Sequence, residues 1–191
     1  MKTVYVLLTK NDTSYSRLIG AVTGDEFTHA ALVLDDRISE IYSFSRRWTR
    51  LALPAGFERE SLHCGVYGRN PDVPCALFAV EMEESAYGRM RDGLRRMLCE
   101  KRAHGYNLLG AMSCGLGRPH VSRHGRMFCS EFVAGTLQRY GALELDRPAA
   151  LVRPGDMAAM PELKCVFRGT LAQLQARRNL EPSLRAGMAP A

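Results

Sequence analysis

Cys129 and His29 are the residues whose types and settings suit chemistry. In Met127-Phe128-Cys129-Ser130-Glu131-Phe132-Val133 and beyond, Phe132, Val133, Thr136, Leu137 and Tyr140 share one helical face and Gly141 stops the pattern, which predicts a helix over 129–140. Cys129 falls in line with Phe132, Val133 and Thr136, so its thiol turns inward at the first helical turn. Unpaired backbone N–H groups and the positive end of the helix dipole favour a thiolate there, and the same groups can donate to an oxyanion. A small buried core residue is the ordinary alternative for a cysteine, and the helix-start position argues against it.

A thiolate nucleophile needs a proton shuttle, and imidazole titrates nearest neutrality. Of the five histidines, His29 lies at the edge of a predicted strand, Phe27-Thr28-His29-Ala30-Ala31-Leu32-Val33-Leu34, where Ala30 and Ala31 leave room for a facing helix. His63 begins another expected strand, and His104, His120 and His124 sit in polar surroundings that suit surface or loop histidines. A group to orient the imidazole should come from the neighbouring strand of a hairpin turning at Asp35-Asp36. A two-residue turn places Tyr42 opposite His29 with Glu40 diagonal to it; a three-residue turn places Ser43 opposite. Glu40 is favoured because a carboxylate fixes the tautomer and stabilises an imidazolium, with Ser43 as the alternative third member.

The remaining elements must hold these groups together. Thr3 to Thr9 reads as a buried strand, 14–22 as a short helix, and Thr28 to Leu34 with Ile38 to Phe44 as the hairpin. Pro54 to Glu60 reads as a loop, and Leu62 to Tyr67 and Cys75 to Met82 as strands. Glu83 to Arg102 is a helix with an apolar stripe of Tyr87, Met90, Leu94, Met97 and Leu98. Tyr106 to Leu116 reads as a shorter apolar helix, Leu163 to Arg168 as a last strand and Thr170 to Arg177 as a last helix. Residues 1–178 are expected to form one domain and 179–191 a flexible tail.

The order of His29, a polar residue on the next strand, and then Cys129-Ser130-Glu131-Phe132-Val133 at a helix start resembles the circularly permuted papain-like hydrolases of the NlpC superfamily, including the YiiX-like group. The segments 27–44 and 106–140 carry the resemblance; ordinary papain-like enzymes place the cysteine helix before the histidine strand. The resemblance implies an α+β fold in which helices, the nucleophile-bearing one included, pack on an antiparallel sheet, with thiol acyl transfer at their junction. It also implies an oxyanion role for a tyrosine upstream of the cysteine, carried here onto Tyr106. The activity so implied is a cysteine hydrolase, a peptidase or amidase, cleaving an amide or peptide bond through a thioester acyl-enzyme. A lipid-directed acyl hydrolase or acyltransferase, or a non-catalytic binding module of the same fold, is the alternative.

Composition narrows the setting. The 191 residues are 46% hydrophobic and suffice for one core. Lys and Arg number 26 against 20 Asp and Glu, giving +6, and read as a scattered solvated surface; nucleic acid or an anionic membrane would need a concentrated basic patch. No aromatic-interleaved basic motif supports nucleic acid, and no apolar run reaches spanning length. Without a signal-peptide pattern, Cys64, Cys75, Cys99, Cys114, Cys129 and Cys165 are expected as free thiols in a reducing cytoplasm. His120, His124 and Cys129 have zinc-binding side chains, but Pro119, Ser122 and Gly125 oppose the helix that the His-x-x-x-His spacing needs, so neither metal nor cofactor is expected. The expected partner is a small peptide, amide or acyl-lipid substrate, and oligomeric state is left open.

Overall fold

Val4, Val6 and Leu8 point to one side of the first strand and Leu7 to the other, and all are buried, so β1 (Lys2–Thr9) must run through the middle of a sheet covered on both faces. The computed structural model describes residues 1–10, 25–46, 55–100, 103–115 and 125–177. It contains β2 (His29–Val33), β3 (Ile41–Arg46), β4 (Ala55–Glu60), α1 (Gly65–Arg69), β5 (Pro74–Met82), α2 (Glu84–Cys99) and β6 (Gly105–Tyr106). These are followed by α3 (Leu108–Gly115), β7 (Arg126–Met127), α4 (Cys129–Arg139), a 3-10 turn (Ala149–Leu151), α5 (Pro154–Ala158), β8 (Lys164–Thr170) and α6 (171–177). The eight strands form a curled sheet in the order β7-β6-β4-β3-β2-β1-β5-β8. All neighbours are antiparallel except β6 and β7. The α+β class expected from the sequence is the one observed. Among the described residues, no helix is long and apolar enough to cross a membrane.

One face of the sheet, with Val6, Leu8, Ala30, Leu32, Phe44 and Phe57, packs against Met90 and Leu94 of α2 and Phe132, Val133 and Leu137 of α4. The Phe132 ring lies 5.4 Å from that of Phe44, tilted, and 5.3 Å from that of Phe57, edge-on, which fixes α4 over β3 and β4. The other face, with Leu7, Ala31, Val33, Ile41 and Leu77, is covered by Leu62 and Tyr67 around α1 and by Leu171 and Leu174 of α6. At the far end of α4, Gly141 adopts φ 73° and a Schellman arrangement closes the helix, with Gly141 N–H donating to Gln138 O at 3.0 Å and Ala142 N–H to Leu137 O at 2.8 Å.

Four local readings are corrected. Of the stretch expected as a loop over 54–60, residues Ala55–Glu60 form β4, and all six pair with β3, from Ile41↔Glu60 to Arg46↔Ala55. The strand expected over Leu62 to Tyr67 is a turn followed by the start of α1: Leu62 is buried in the turn and Tyr67 in a helix of five residues, too short to show a period. The helix expected from Tyr106 begins at Leu108, because Gly105 and Tyr106 pair with β7 and Gly105 also with Gly56 of β4. The hairpin turn is longer than two or three residues: Leu34 N–H donates to Glu40 O, leaving five residues in the loop. The Asp35 carboxylate holds that loop by accepting from Ser39 N–H at 2.8 Å, Glu40 N–H at 2.9 Å and Ser39 Oγ at 2.6 Å. The helix expected over 14–22, His120, His124 and the segment 179–191 lie outside the described residues.

Candidate active site

The longer turn resets every pairing beyond it. Leu32 faces Tyr42 and Val33 faces Ile41, so neither Tyr42 nor Ser43 lies opposite His29. Glu40, opposite Leu34, is five strand positions from His29, about 17 Å at the rise of a β-strand. Its carboxylate is clamped by Arg91 at 2.8 Å and Arg95 at 3.2 Å, which hold it below the ordinary carboxylate range. Glu40 is therefore part of the α2–hairpin junction, and the sequence expectation that it orients His29 is overturned by register.

The carboxylate beside His29 is Glu60, the last residue of β4. His29 Nε2 lies 3.3 Å from Glu60 Oε1, and both side chains are about nine-tenths buried, at 9% and 10% exposure. Ser43 Oγ donates to the same carboxylate oxygen. Ser43 pairs with Glu58, so Glu60 sits two positions along β4 on the same face, which lets Ser43 reach it diagonally. Ser43 thus belongs to the cluster, through Glu60 and not as a direct partner of the imidazole.

Cys129 reaches this cluster because the sheet opens where β2 begins. The pairing of β2 with β1 runs to Thr9↔His29, but its pairing with β3 ends at Leu32↔Tyr42. Leu34 N–H points toward β3, so by strand alternation Ala30 N–H does too, at a place where the ladder has stopped. Cys129 Sγ takes up that donor: the N–H groups of Ala30 and Ser130 both hydrogen-bond the sulfur. Cys129 is 6% exposed and His29 7%. With Nε2 on Glu60, Nδ1 is the ring nitrogen left for the thiol, and the two side chains hydrogen-bond.

Charge within the cluster is set by opposing forces. Burial pushes the Cys129 thiol up, but the His29 imidazolium and the two N–H groups outweigh burial and hold it below its ordinary value. Burial alone would lower His29; the Cys129 thiolate and then Glu60 overcome it and raise the imidazole to about 10. Glu60 is held below the usual carboxylate range, because His29 and Ser43 outweigh its burial. Cys75 and Cys114 show what burial does without such partners, since both thiols are pushed up to about 12. Each of Cys129 and His29 thus favours the charged form of the other, with the Glu60 carboxylate behind the imidazole.

Tyr67 of α1 completes the cluster. Its ring centroid lies 6.4 Å from that of His29, and its buried hydroxyl has no partner in ordinary hydrogen-bond geometry while facing Glu60, Thr9 and Cys129. Burial and the Glu60 charge raise its pKa well above that of a free tyrosine, so it remains a proton donor. Tyr106, the tyrosine expected near the oxyanion, packs against Ala111, Cys114 and Phe128, and its backbone lies opposite Met127. Glu131 fixes the start of α4 by accepting Phe128 N–H at 3.3 Å, and Ser130 Oγ donates to Val152 O at 2.7 Å.

Sequence reasoning missed Glu60 and Tyr67. Phe57-Glu58-Arg59-Glu60 has one apolar residue followed by three charged ones, so no alternation marked β4. Tyr67 carried no signal either. Among the described residues, no group of three or more His, Cys, Asp or Glu side chains is arranged to hold a metal ion. All six cysteines are free.

No protein-family model and no curated protein matches the sequence. The fold is similar to the crystal structure of metalloprotein yiiX from Escherichia coli O157:H7. The likeness has a TM-score of 0.56 at 14% identity and covers 88% of this chain and 98% of that one. It supports a YiiX-like fold.

Proposed function

We propose that this chain is a cysteine-dependent hydrolase of amide or peptide bonds, of the permuted papain-like kind, working through a thioester acyl-enzyme. The observation that carries the reading is the convergence at the start of α4: the buried Cys129 thiol lies within hydrogen-bond reach of His29, whose Nε2 is 3.3 Å from the buried Glu60 carboxylate, whereas the buried Cys75 and Cys114 have no such partners and are pushed up to about 12. A thiol kept for packing gains nothing from an imidazole, a carboxylate behind that imidazole and two aimed N–H groups.

In the proposed reaction Cys129 Sγ attacks the substrate carbonyl carbon, and the carbonyl electrons move to oxygen. The Cys129 N–H, without an intrahelical acceptor at the first turn, and the Tyr67 hydroxyl are assigned as donors to that oxyanion. His29 gives its proton to the leaving nitrogen as the C–N bond breaks, which leaves a thioester and neutral imidazole. The imidazole then takes a proton from water as the water attacks the thioester, and the expelled thiolate re-forms the ion pair. Glu60 holds the ring and stabilises its cationic form, and Ser43 holds Glu60.

The yiiX protein is described as a metalloprotein, and its metal is not carried over to this site. Among the described residues no donor set is arranged for a metal ion, and Glu60 is committed to His29 and Ser43. The six free thiols support placement in a reducing compartment, the cytoplasm.

The test is the pH dependence of Cys129 alkylation by iodoacetamide in the wild type and in His29→Ala, with peptide mapping to separate the six thiols. Rapid reaction well below pH 8 that is lost without His29 is the expected result. A Cys129 that behaves like Cys75 and Cys114 in both proteins would overturn the enzymatic reading.

A further inference from the structure

The hydrogen bond between Cys129 and His29 joins two elements at a place where the sheet does little to hold them together. The start of β2 is paired with β1, at Thr9↔His29, but its ladder with β3 stops at Leu32↔Tyr42. Two adjacent residues, Val152 and Arg153, reach both sides of this junction. On the nucleophile side, Ser130 Oγ donates to Val152 O at 2.7 Å, and Val152 is fully buried. On the histidine side, Arg153 Nη1 lies 3.5 Å from Asp25 Oδ2, four residues before His29. The chain between Asp25 and His29 has little slack, because Phe27 is buried and Thr28 N–H donates to Thr9 O at 3.0 Å.

Arg153 is itself held in one orientation. Asp156, in the first turn of α5, accepts from Arg153 N–H at 2.9 Å, from Nη2 at 2.9 Å and from Nε at 3.3 Å. The planar guanidinium is thereby fixed along one edge, which leaves Nη1 aimed at Asp25. Asp25 lies directly on the α5 backbone: a Cβ on Gly155 would meet its Oδ1 at 2.6 Å and its Cγ at 2.8 Å, so the bare backbone at 155 is what admits the carboxylate. Arg147 pairs with Asp146 and, at 3.8 Å, with Asp156, and not with Asp25.

Stability alone does not account for this arrangement, since an ion pair with one side chain 33% exposed contributes little to it. What the contacts fix is position. We infer that Arg153 is a positioning residue: through Asp25 it holds the approach to β2 against the segment that holds α4, and so sets the reach between the His29 imidazole and the Cys129 thiol. The inference rests on the reading of Cys129 and His29 as a working pair, and adds to it a residue that bonds to neither.

The experiment is the pH profile of Cys129 alkylation by iodoacetamide, with peptide mapping, measured beside the melting temperature in the wild type, Arg153→Met, Asp25→Asn, Gly155→Ala and Arg147→Met. A looser reach weakens the hold of the imidazolium on the thiolate, so the midpoint should rise by about one pH unit in the first three variants, which is about tenfold slower alkylation below it. Arg153→Met/Asp25→Asn should shift it no further than either change alone, because both remove the same contact. Gly155→Ala places a better helix former within α5, so a raised midpoint at an undiminished melting temperature separates placement from stability. Arg147→Met should leave the midpoint where it is. An unmoved midpoint in Asp25→Asn or Gly155→Ala overturns the inference even where Arg153→Met fails to fold, and so does an equal rise in Arg147→Met. A wild-type Cys129 that reacts like Cys75 and Cys114 brings down the hydrolase reading and this inference together. A wild-type thiol reactive well below pH 8 that stays so in these variants brings down the inference alone.

Discussion

Replacing Glu60 by Gln preserves the shape of the side chain and removes its charge. Glu60 Oε1 lies 3.3 Å from His29 Nε2 at about one-tenth exposure, so water does little to compensate. A hydrogen bond to a charged group contributes about 1.5–3 kcal/mol, against about 0.5–1.5 kcal/mol for a neutral one. The substitution should therefore cost the imidazolium about 1–2 kcal/mol, roughly one pKa unit. The thiol–imidazolium and thiolate–imidazolium states both contain the cationic ring, so loss of the thiol proton should be little affected. Loss of the second proton, which neutralises His29, should move down from about 10 by about one unit. The assay is an NMR titration of the His29 ring between neutral and strongly alkaline pH in the wild type, Glu60→Gln and Glu40→Gln. Glu40, clamped by Arg91 and Arg95, should leave the His29 midpoint where it is. An unmoved midpoint in Glu60→Gln, or an equal shift in Glu40→Gln, would refute the assignment of Glu60 as the partner of the imidazole.

Tyr67→Phe should lower kcat by about a hundredfold, the cost of losing one oxyanion donor, while the melting temperature holds or rises, because the hydroxyl removed is buried without a hydrogen-bond partner. Undiminished turnover would remove Tyr67 from the mechanism. Stability against pH should also report the ion pair. His29 titrates at about 10 in the folded chain against 6.5 ordinarily, so its contribution is full below 6.5 and is lost as pH rises through about 10. Cys129 titrates below its ordinary 9.0, so its contribution is full above 9.0 and is lost as pH falls through the depressed value. The urea midpoint of the wild type should fall as pH rises toward about 10 and the loss should be complete there, and in Cys129→Ala, where His29 lacks the thiolate, it should be complete at lower pH; coincident profiles would show that no such pair exists.

Cys129 and His29 were legible because each sits at the edge of an element with a strong periodic signal: the Phe132–Val133–Leu137 stripe of α4 and the apolar run of β2. The partner of His29 was not legible, because it depends on two features that leave little local trace. Asp35-Asp36 reads as the centre of a tight turn, yet the Asp35 side chain caps a five-residue loop in which Ile38 takes φ 52°, and the added residues move every position of β3 relative to β2. Glu58-Arg59-Glu60 reads as solvated surface, and only pairing with β3 turns Glu60 inward on a strand whose local propensity is poor. Tyr67 was hidden for a third reason: a five-residue helix is too short to show a period, so its buried tyrosine and Leu62 mimic a strand.

The position of the site follows from the sheet more than from the order of the chain. A histidine within a fully paired strand is separated from a helix on the opposite face by the strand itself. His29 shares its strand face with Ala31 and Val33, whereas α4 packs on the face carrying Ala30 and Leu32. The thiol meets the imidazole because the β2–β3 ladder stops at Leu32 and the first turn of α4 reaches the unpaired Ala30 N–H at the rim. What the chemistry requires is a strand end that has lost one neighbour, a helix N-terminus at that gap, and a carboxylate from the next strand but one on the histidine's face. Glu60 meets the last condition because β4 follows β3 by a further antiparallel return, which brings its end back across from Ile41. A circular permutation that kept these three conditions would keep the site, so the histidine can precede the cysteine by a hundred residues without altering what the pair can do.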